Sequence, residues 1–321
     1  MIRHFAICSF FLFLLSFAVS GQTTGVFPKL YPASVAVYDI DRGMPITCLD
    51  NLFVDSTGRL FISPCRYQDI YQNLSFYQYD GDKSHLIQMD PPEGTSGPLS
   101  WYLKGSTAGG LLFGSDTSST LAFLYNPDDG AHKIVSFGIA EKIRNMIAGP
   151  GNEAYILTYK RGAFSWYRLT QEGKELLVDI PVADDIESYI FYDIPAACSG
   201  SQISFLWLDK GFIRYSLTDH SIKRYNWHAL IGSTVGEFSN KSDLLDISGL
   251  NMTGIPGGRI LFYLRFNGGF YVFDPSSEQL SGHLALNEYF RSFNIADKFI
   301  IKFYQDHWQN TLIHLSWLIF R

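Results

Sequence analysis

This sequence has little charge, few cysteines and, past its first twenty residues, no long apolar run. Charged residues make up only 17% of the 321 positions while hydrophobic ones make up 46%, which excludes a disordered chain. Basic residues are outnumbered, 25 Lys+Arg against 31 Asp+Glu, and they form no cluster. Nucleic acid and anionic membrane surfaces are therefore excluded as partners. After residue 21 no stretch reaches the ~20 apolar residues of a membrane helix, so no membrane contact is expected. The histidines (85, 132, 220, 228, 283, 307 and 314 after the leader) never stand at His-x-x-x-His spacing. No metal site is readable, and no cofactor is expected.

The one apolar run opens the chain. Arg3 and His4 precede Phe5–Val19, and small residues Ser20 and Gly21 lead into Gln22-Thr23-Thr24. A short basic start, an apolar core and a small-residue exit predict a secretory signal peptide over residues 1–21. Cys8 lies inside the run rather than after it, so no lipid anchor is expected. Loss of the leader removes Arg3 and no acid, leaving a net charge of about −7. Cys48, Cys65 and Cys198 remain, an odd number. Cys48 and Cys65 stand equidistant from the turn Asp55–Gly58, so a hairpin there brings either a cross-strand disulfide or two buried thiols.

What is abundant is aromatic: 26 Phe, 19 Tyr and 6 Trp, together 16% of the chain, with 28 Gly and 13 Pro to make turns. Aromatics favour pleated, half-buried surfaces. They recur in a degenerate repeat: an apolar strand, a Gly-containing turn, an apolar-aromatic strand, a Gly-aromatic strand, then an acidic or Ser-rich turn. The first turns fall at Gly58, Gly109, Gly151, Gly200 and Gly257, spaced by 51, 42, 49 and 57 residues. The Gly-aromatic strands include Gly162–Tyr167, Gly211–Tyr215 and Gly269–Phe273. A period near 40–50 residues with four short strands is that of a propeller blade, a sheet too thin to bury both faces alone. A β-sandwich offers no reason for such matching positions.

The expectation is an all-β, incomplete β-propeller: a lead-in segment 22–43, then blades near 44–92, 98–138, 142–182, 187–228 and 243–287. A partial blade follows over 290–321. Val35–Ile40 is one candidate for a missing strand. The other reading makes the chain the front piece of a longer protein.

The phrase Ile46-Thr-Cys-Leu-Asp-Asn-Leu-Phe-Val-Asp-Ser-Thr-Gly-Arg-Leu-Phe-Ile62 resembles a two-component regulator propeller repeat. So do Asp209-Lys-Gly-Phe-Ile-Arg-Tyr215 and Ile301–Ile313, and Tyr38–Pro45 is similar to the segment that leads into such repeats. The resemblance departs at the second and fourth blades, which lack the Asp-x-x-Gly turn. It implies the periplasmic sensor region of a bacterial hybrid histidine kinase, of which this chain would be an N-terminal fragment without the kinase. The implied function is ligand sensing for signal transduction, carbohydrate being the expected ligand, with no catalysis by this chain. Expected partners are a small-molecule or oligosaccharide ligand and a second sensor chain in a homodimer. The competing classes are a secreted propeller enzyme acting on polysaccharide, by hydrolysis or elimination, and a passive glycan-binding or adhesion scaffold.

No catalytic residue is predicted, and no ligand-binding residue is assigned. Gly149–Ala154 matches a dinucleotide fingerprint but precedes a strand rather than a helix. Gly232–Gly236 has Thr where a nucleophile elbow needs Ser. Asp80–Asp82 and Asp128–Gly130 read as hairpin turns sooner than calcium loops, and Asp184-Asp185 as a solvated loop. Trp101, Trp166, Trp207 and Trp227 are candidates either for stacking on sugar rings or for packing between blades.

Overall fold

The computed structural model describes residues 15–17, 49–55, 57–64, 76–80, 83–90, 92, 100–182, 193–207, 210–231, 250–264, 269–283, 287–288, 299–305 and 311–317. After a short strand β1 (Leu15–Phe17), five sheets follow one another, each of four antiparallel strands in sequential order. The first holds β2 (Leu49–Val54), β3 (Leu60–Pro64), β4 (Tyr77–Tyr79) and β5 (Ser84–Leu86). The second holds β6 (Trp101–Ser106), β7 (Leu112–Asp116), β8 (Leu121–Tyr125) and β9 (His132–Ser136). The third holds β10 (Lys142–Ala148), β11 (Ala154–Lys160), β12 (Ala163–Leu169) and β13 (Lys174–Pro181). The fourth holds β14 (Ala196–Ser199), β15 (Gln202–Trp207), β16 (Gly211–Ser216) and β17 (Ile222–Asn226). The fifth holds β18 (Leu250–Ile255), β19 (Arg259–Leu264), β20 (Gly269–Asp274) and β21 (Gln279–Gly282). A sixth sheet pairs β22 (Phe299–Gln305) with β23 (Thr311–Trp317), and β1 lies antiparallel along β23.

The first strands of successive sheets touch one another, β2 against β6, then β6, β10, β14, β18 and β22 in turn. They therefore ring a common axis, and the chain is an all-β propeller of five four-stranded blades and part of a sixth. Val35–Ile40 and Cys48 and Cys65 lie outside the described residues. The hairpin between those cysteines pairs Asp55 with Arg59 rather than with Gly58, and a bulge at Asp50 then shifts the register by one.

Burial follows position in the blade. Strand β11 buries six of its seven residues, whereas the outermost strands β9 and β17 bury none and one respectively. Middle strands have a sheet on either side and so carry continuous apolar runs; the last strand of each blade is a solvated edge and carries charge. The rings fill the gaps between blades. Phe76 stacks on Phe123 across blades one and two at 5.5 Å, Phe164 meets Phe205 across three and four at 4.9 Å, and Phe212 meets Phe262 across four and five at 5.1 Å. Each such pair contributes about 0.5–1.5 kcal/mol beyond its burial.

Aspartates tie the turns. Buried Asp55 accepts from the Thr57 and Arg59 amides, both at 2.9 Å, and from Arg59 Nε at 2.6 Å. Burial pushes its carboxyl pKa up, but the hydrogen bonds from Thr57 and Arg59 outweigh that and hold it below the usual range. Arg59 also reaches the next blade, donating to Pro127 O at 3.1 Å and Asp128 Oδ1 at 2.8 Å. Asp116, Asp219 and Asp274 repeat the device, each accepting from the amide of a Ser two residues on.

The two ends of the propeller differ. At one end the first-to-second strand turns 55–59, 107–111, 149–153, 199–202 and 255–259 are all tight. The connections from the last strand of one blade to the next blade join at the other end, and four of them are long: 87–100, 182–195, 227–249 and 283–298.

Candidate ligand site in the channel

At the tight-turn end, turns of four blades enclose a cavity of roughly 310 Å³, lined among others by Thr107, Gly149, Pro150, Cys198, Ser199 and Pro256. The blades approach closely here: a Cβ on Gly254 would lie 2.0 Å from the Cys198 carbonyl oxygen. Ser199 Oγ donates across the same junction to Ile255 O at 2.9 Å. Glu153 is held beneath by Tyr155, whose hydroxyl donates to it at 3.3 Å. Burial, aided by the Glu153 charge, pushes the Cys198 thiol up to about 12. A thiol so placed is a poor nucleophile. Alkylation of Cys198 by iodoacetamide at pH 8 is accordingly expected to run about a thousandfold slower than that of an unperturbed cysteine. Peptide mapping against time checks this, and labelling at the ordinary rate would refute it.

Three innermost strands each carry a β-bulge, and the residues skipped in the pairing are Asp50 in β2, Lys104 in β6 and Arg144 in β10. A bulge re-aims a side chain that would otherwise enter the space between sheets. Lys104, its side chain 10% exposed, forms an ion pair with Asp193, 49% exposed, which precedes β14. Asp193 lies in the connection from blade three to blade four, so the pair ties that connection to blade two. The backbone beside Asp193 is fixed on blade three: the Ile194 amide donates to Arg144 O at 3.0 Å, and Asn145 Nδ2 donates to Ile194 O at 2.6 Å. Burial lowers the Arg144 pKa to about 10, with the Asp193 charge acting in the opposite sense.

The candidates named from sequence fall apart in space. Trp101, Trp166 and Trp227 are 2% exposed or less and pack between blades, which removes them as stacking platforms. Trp207 is partly exposed, with Lys210 Nζ at 5.2 Å and Arg224 Cζ at 5.8 Å from its ring centre. Gly149–Asn152 forms the turn between β10 and β11. Asp80 bonds Lys83 N and His85, and Asp129 accepts from Ala131 N at 2.8 Å, both within their own hairpins, while Asp128 takes Arg59 from the neighbouring blade. Asp184, Asp185 and Gly232–Gly236 lie outside the described residues. Among the described residues no three His, Cys, Asp or Glu side chains converge on one point. Sequence reading passed over Lys104, Arg144 and Asp193. A signal did exist for Lys104, a charge inside a strand otherwise built for burial.

No family model and no curated protein matches this sequence. Among solved structures the chain is similar to virginiamycin B lyase from Staphylococcus aureus, at 8% identity and a TM-score of 0.49, over 83% of this chain and 80% of that one. A streptogramin B lyase follows at 9% identity and 0.48, over 83% and 78%. The extracellular domain assigned to a hybrid two component system of B. thetaiotaomicron shares 12% identity at 0.42, over 77% of this chain and 31% of that one.

Proposed function

We propose that this chain is a periplasmic ligand-sensing propeller of a two-component regulator, responding to carbohydrate and performing no chemistry itself. The observation that carries the proposal is the asymmetry of the two ends. Four of the five blade-to-blade connections are long and join the strands at one end, while the first-to-second strand turns at the other end are tight. Recognition in scaffolded folds resides in such connections, held in place by a rigid frame. The repeat phrases at Ile46–Ile62, Asp209–Tyr215 and Ile301–Ile313 supply the two-component context, and the apolar leader supplies the compartment.

The test is a panel of oligosaccharides added to the secreted chain. One class is expected to raise its stability, by about 2.7 kcal/mol at a hundredfold excess over the dissociation constant, with no product formed. Turnover of any member of the panel would replace the sensor reading with an enzymatic one. Silence across the whole panel would remove carbohydrate as the ligand.

A further inference from the structure

The last strand of each complete blade is guarded as a free edge. β9 carries Lys133, β13 carries Lys174, Glu175 and Pro181, and β17 carries Lys223 and Arg224, while β5 and β21 are only three and four residues long. Shortness, charge and proline all discourage pairing with another chain. β23 has none of these guards. Its seven residues, Thr311-Leu-Ile-His-Leu-Ser-Trp317, include no Lys, Arg, Asp, Glu or Pro, and its pairing with β22 runs from Thr311 to Trp317 without a bulge. The other side of β23 is taken by β1 over Thr311–Ile313 alone, with Leu15 opposite Ile313 and Phe17 opposite Thr311. Among the described residues nothing pairs with the rest of that side. β1 itself falls within residues 1–21, the predicted secretory leader, whose removal bares the whole edge.

We propose that the outer edge of β23 is a strand-addition surface, unmasked when the leader is removed, and that its partner is β23 of a second copy of this chain. β1 supplies the direction, since the edge receives it antiparallel. Two copies of one strand meeting antiparallel obey two-fold symmetry, so each edge satisfies the other and the assembly stops at two. Pairing centred on His314 sets Thr311 opposite Trp317 and Ile313 opposite Leu315, and it uses all seven residues. The partial blades of the two copies then make one sheet in the order β22-β23-β23-β22, with the four strands of every complete blade. A sheet of only two strands is marginal in water, and main-chain hydrogen bonds carry the affinity of strand addition. The inference rests on removal of the leader and is independent of what the channel binds.

The experiment is sedimentation velocity of the secreted chain across a range of concentrations, where a reversible equilibrium between one and two chains is expected. His314→Lys and His314→Glu each set like charges opposite one another at the two-fold, and each is expected to weaken self-association about fivefold. An equimolar mixture of the two variants should restore it, because opposite charges then meet. Amides of residues 311–317 in the parent chain should gain protection from hydrogen exchange as concentration rises, a readout that decides by itself if neither variant folds. N-terminal sequencing checks the leader separately, and a secreted chain that keeps Leu15–Phe17 would overturn the proposal. So would a secreted chain that stays single at every concentration, which assigns the edge to a strand of the same molecule. A dimer indifferent to both substitutions, or a mixture no tighter than either variant alone, would move the interface elsewhere. Glycan binding is measured independently, so each of these results leaves the sensor reading as it stands.

Discussion

Gly211→Ala is expected to leave little or no folded protein. Gly211 opens β16 at a φ of 149°, and a Cβ there would lie 1.7 Å from the carbonyl oxygen of Tyr225 and 2.8 Å from its carbonyl carbon. Those atoms belong to the backbone of β17, which is hydrogen-bonded to β16 in register, Gly211 opposite Asn226 and Phe212 opposite Tyr225. The clash cannot be relieved by rotating a side chain; the strand itself would have to withdraw. Overpacking of this kind exceeds the usual 1–3 kcal/mol and consumes much of a total stability of about 5–15 kcal/mol. Gly58→Ala is the control. Its φ of 87° disfavours a side chain, yet nothing lies within 4 Å, so a loss of only about 1 kcal/mol is expected. Urea midpoints and soluble yield compare the two, and a Gly211→Ala midpoint equal to the parent's would show the β16–β17 geometry to be wrong.

Phe212→Ala should cost about 3–5 kcal/mol, the upper range for loss of a buried aromatic ring. Its ring is fully buried and is the hub of a cluster joining blades four and five. It stacks on Tyr225 at 4.7 Å and meets Phe273 at 5.0 Å, Phe262 at 5.1 Å and Trp227 at 5.7 Å. Two of these neighbours belong to the next blade, so removal leaves a void at a junction where no single element can close over it. The check is a lowered urea midpoint with an unchanged denaturant slope, the signature of lost stability without lost cooperativity. A midpoint within the error of the parent would mean that the rings of the two blades do not pack as described.

These two residues also show what the sequence made legible. In the Gly-aromatic phrase Gly211 lets two strands approach and Gly162 makes a turn at a φ of 81°, while Phe212 and Phe164 fill the gap to a neighbouring blade. Both demands are local in sequence, and so the repeat and the blade count could be read from it. The channel could not be read in the same way. The bulges at Lys104 and Arg144 depend on pairing register, which a one-residue skip alters without leaving a mark in composition. Asp193 meets Lys104 from 89 positions away, and from a connection rather than from a strand of the repeat. Of the tryptophans, the spacing placed all four in blades but did not distinguish the buried three from Trp207 at the end of β15.

The division of labour between the two ends has a bearing on how such a chain can change over time. At the tight-turn end, Gly254 leaves no room for even a methyl group against blade four, so variation there is met at once by steric penalty. Lengthening a connection at the opposite end adds only about 0.6 kcal/mol for each doubling of the loop. New specificities can accordingly accumulate on that side, one insertion after another, while the ring beneath keeps its dimensions.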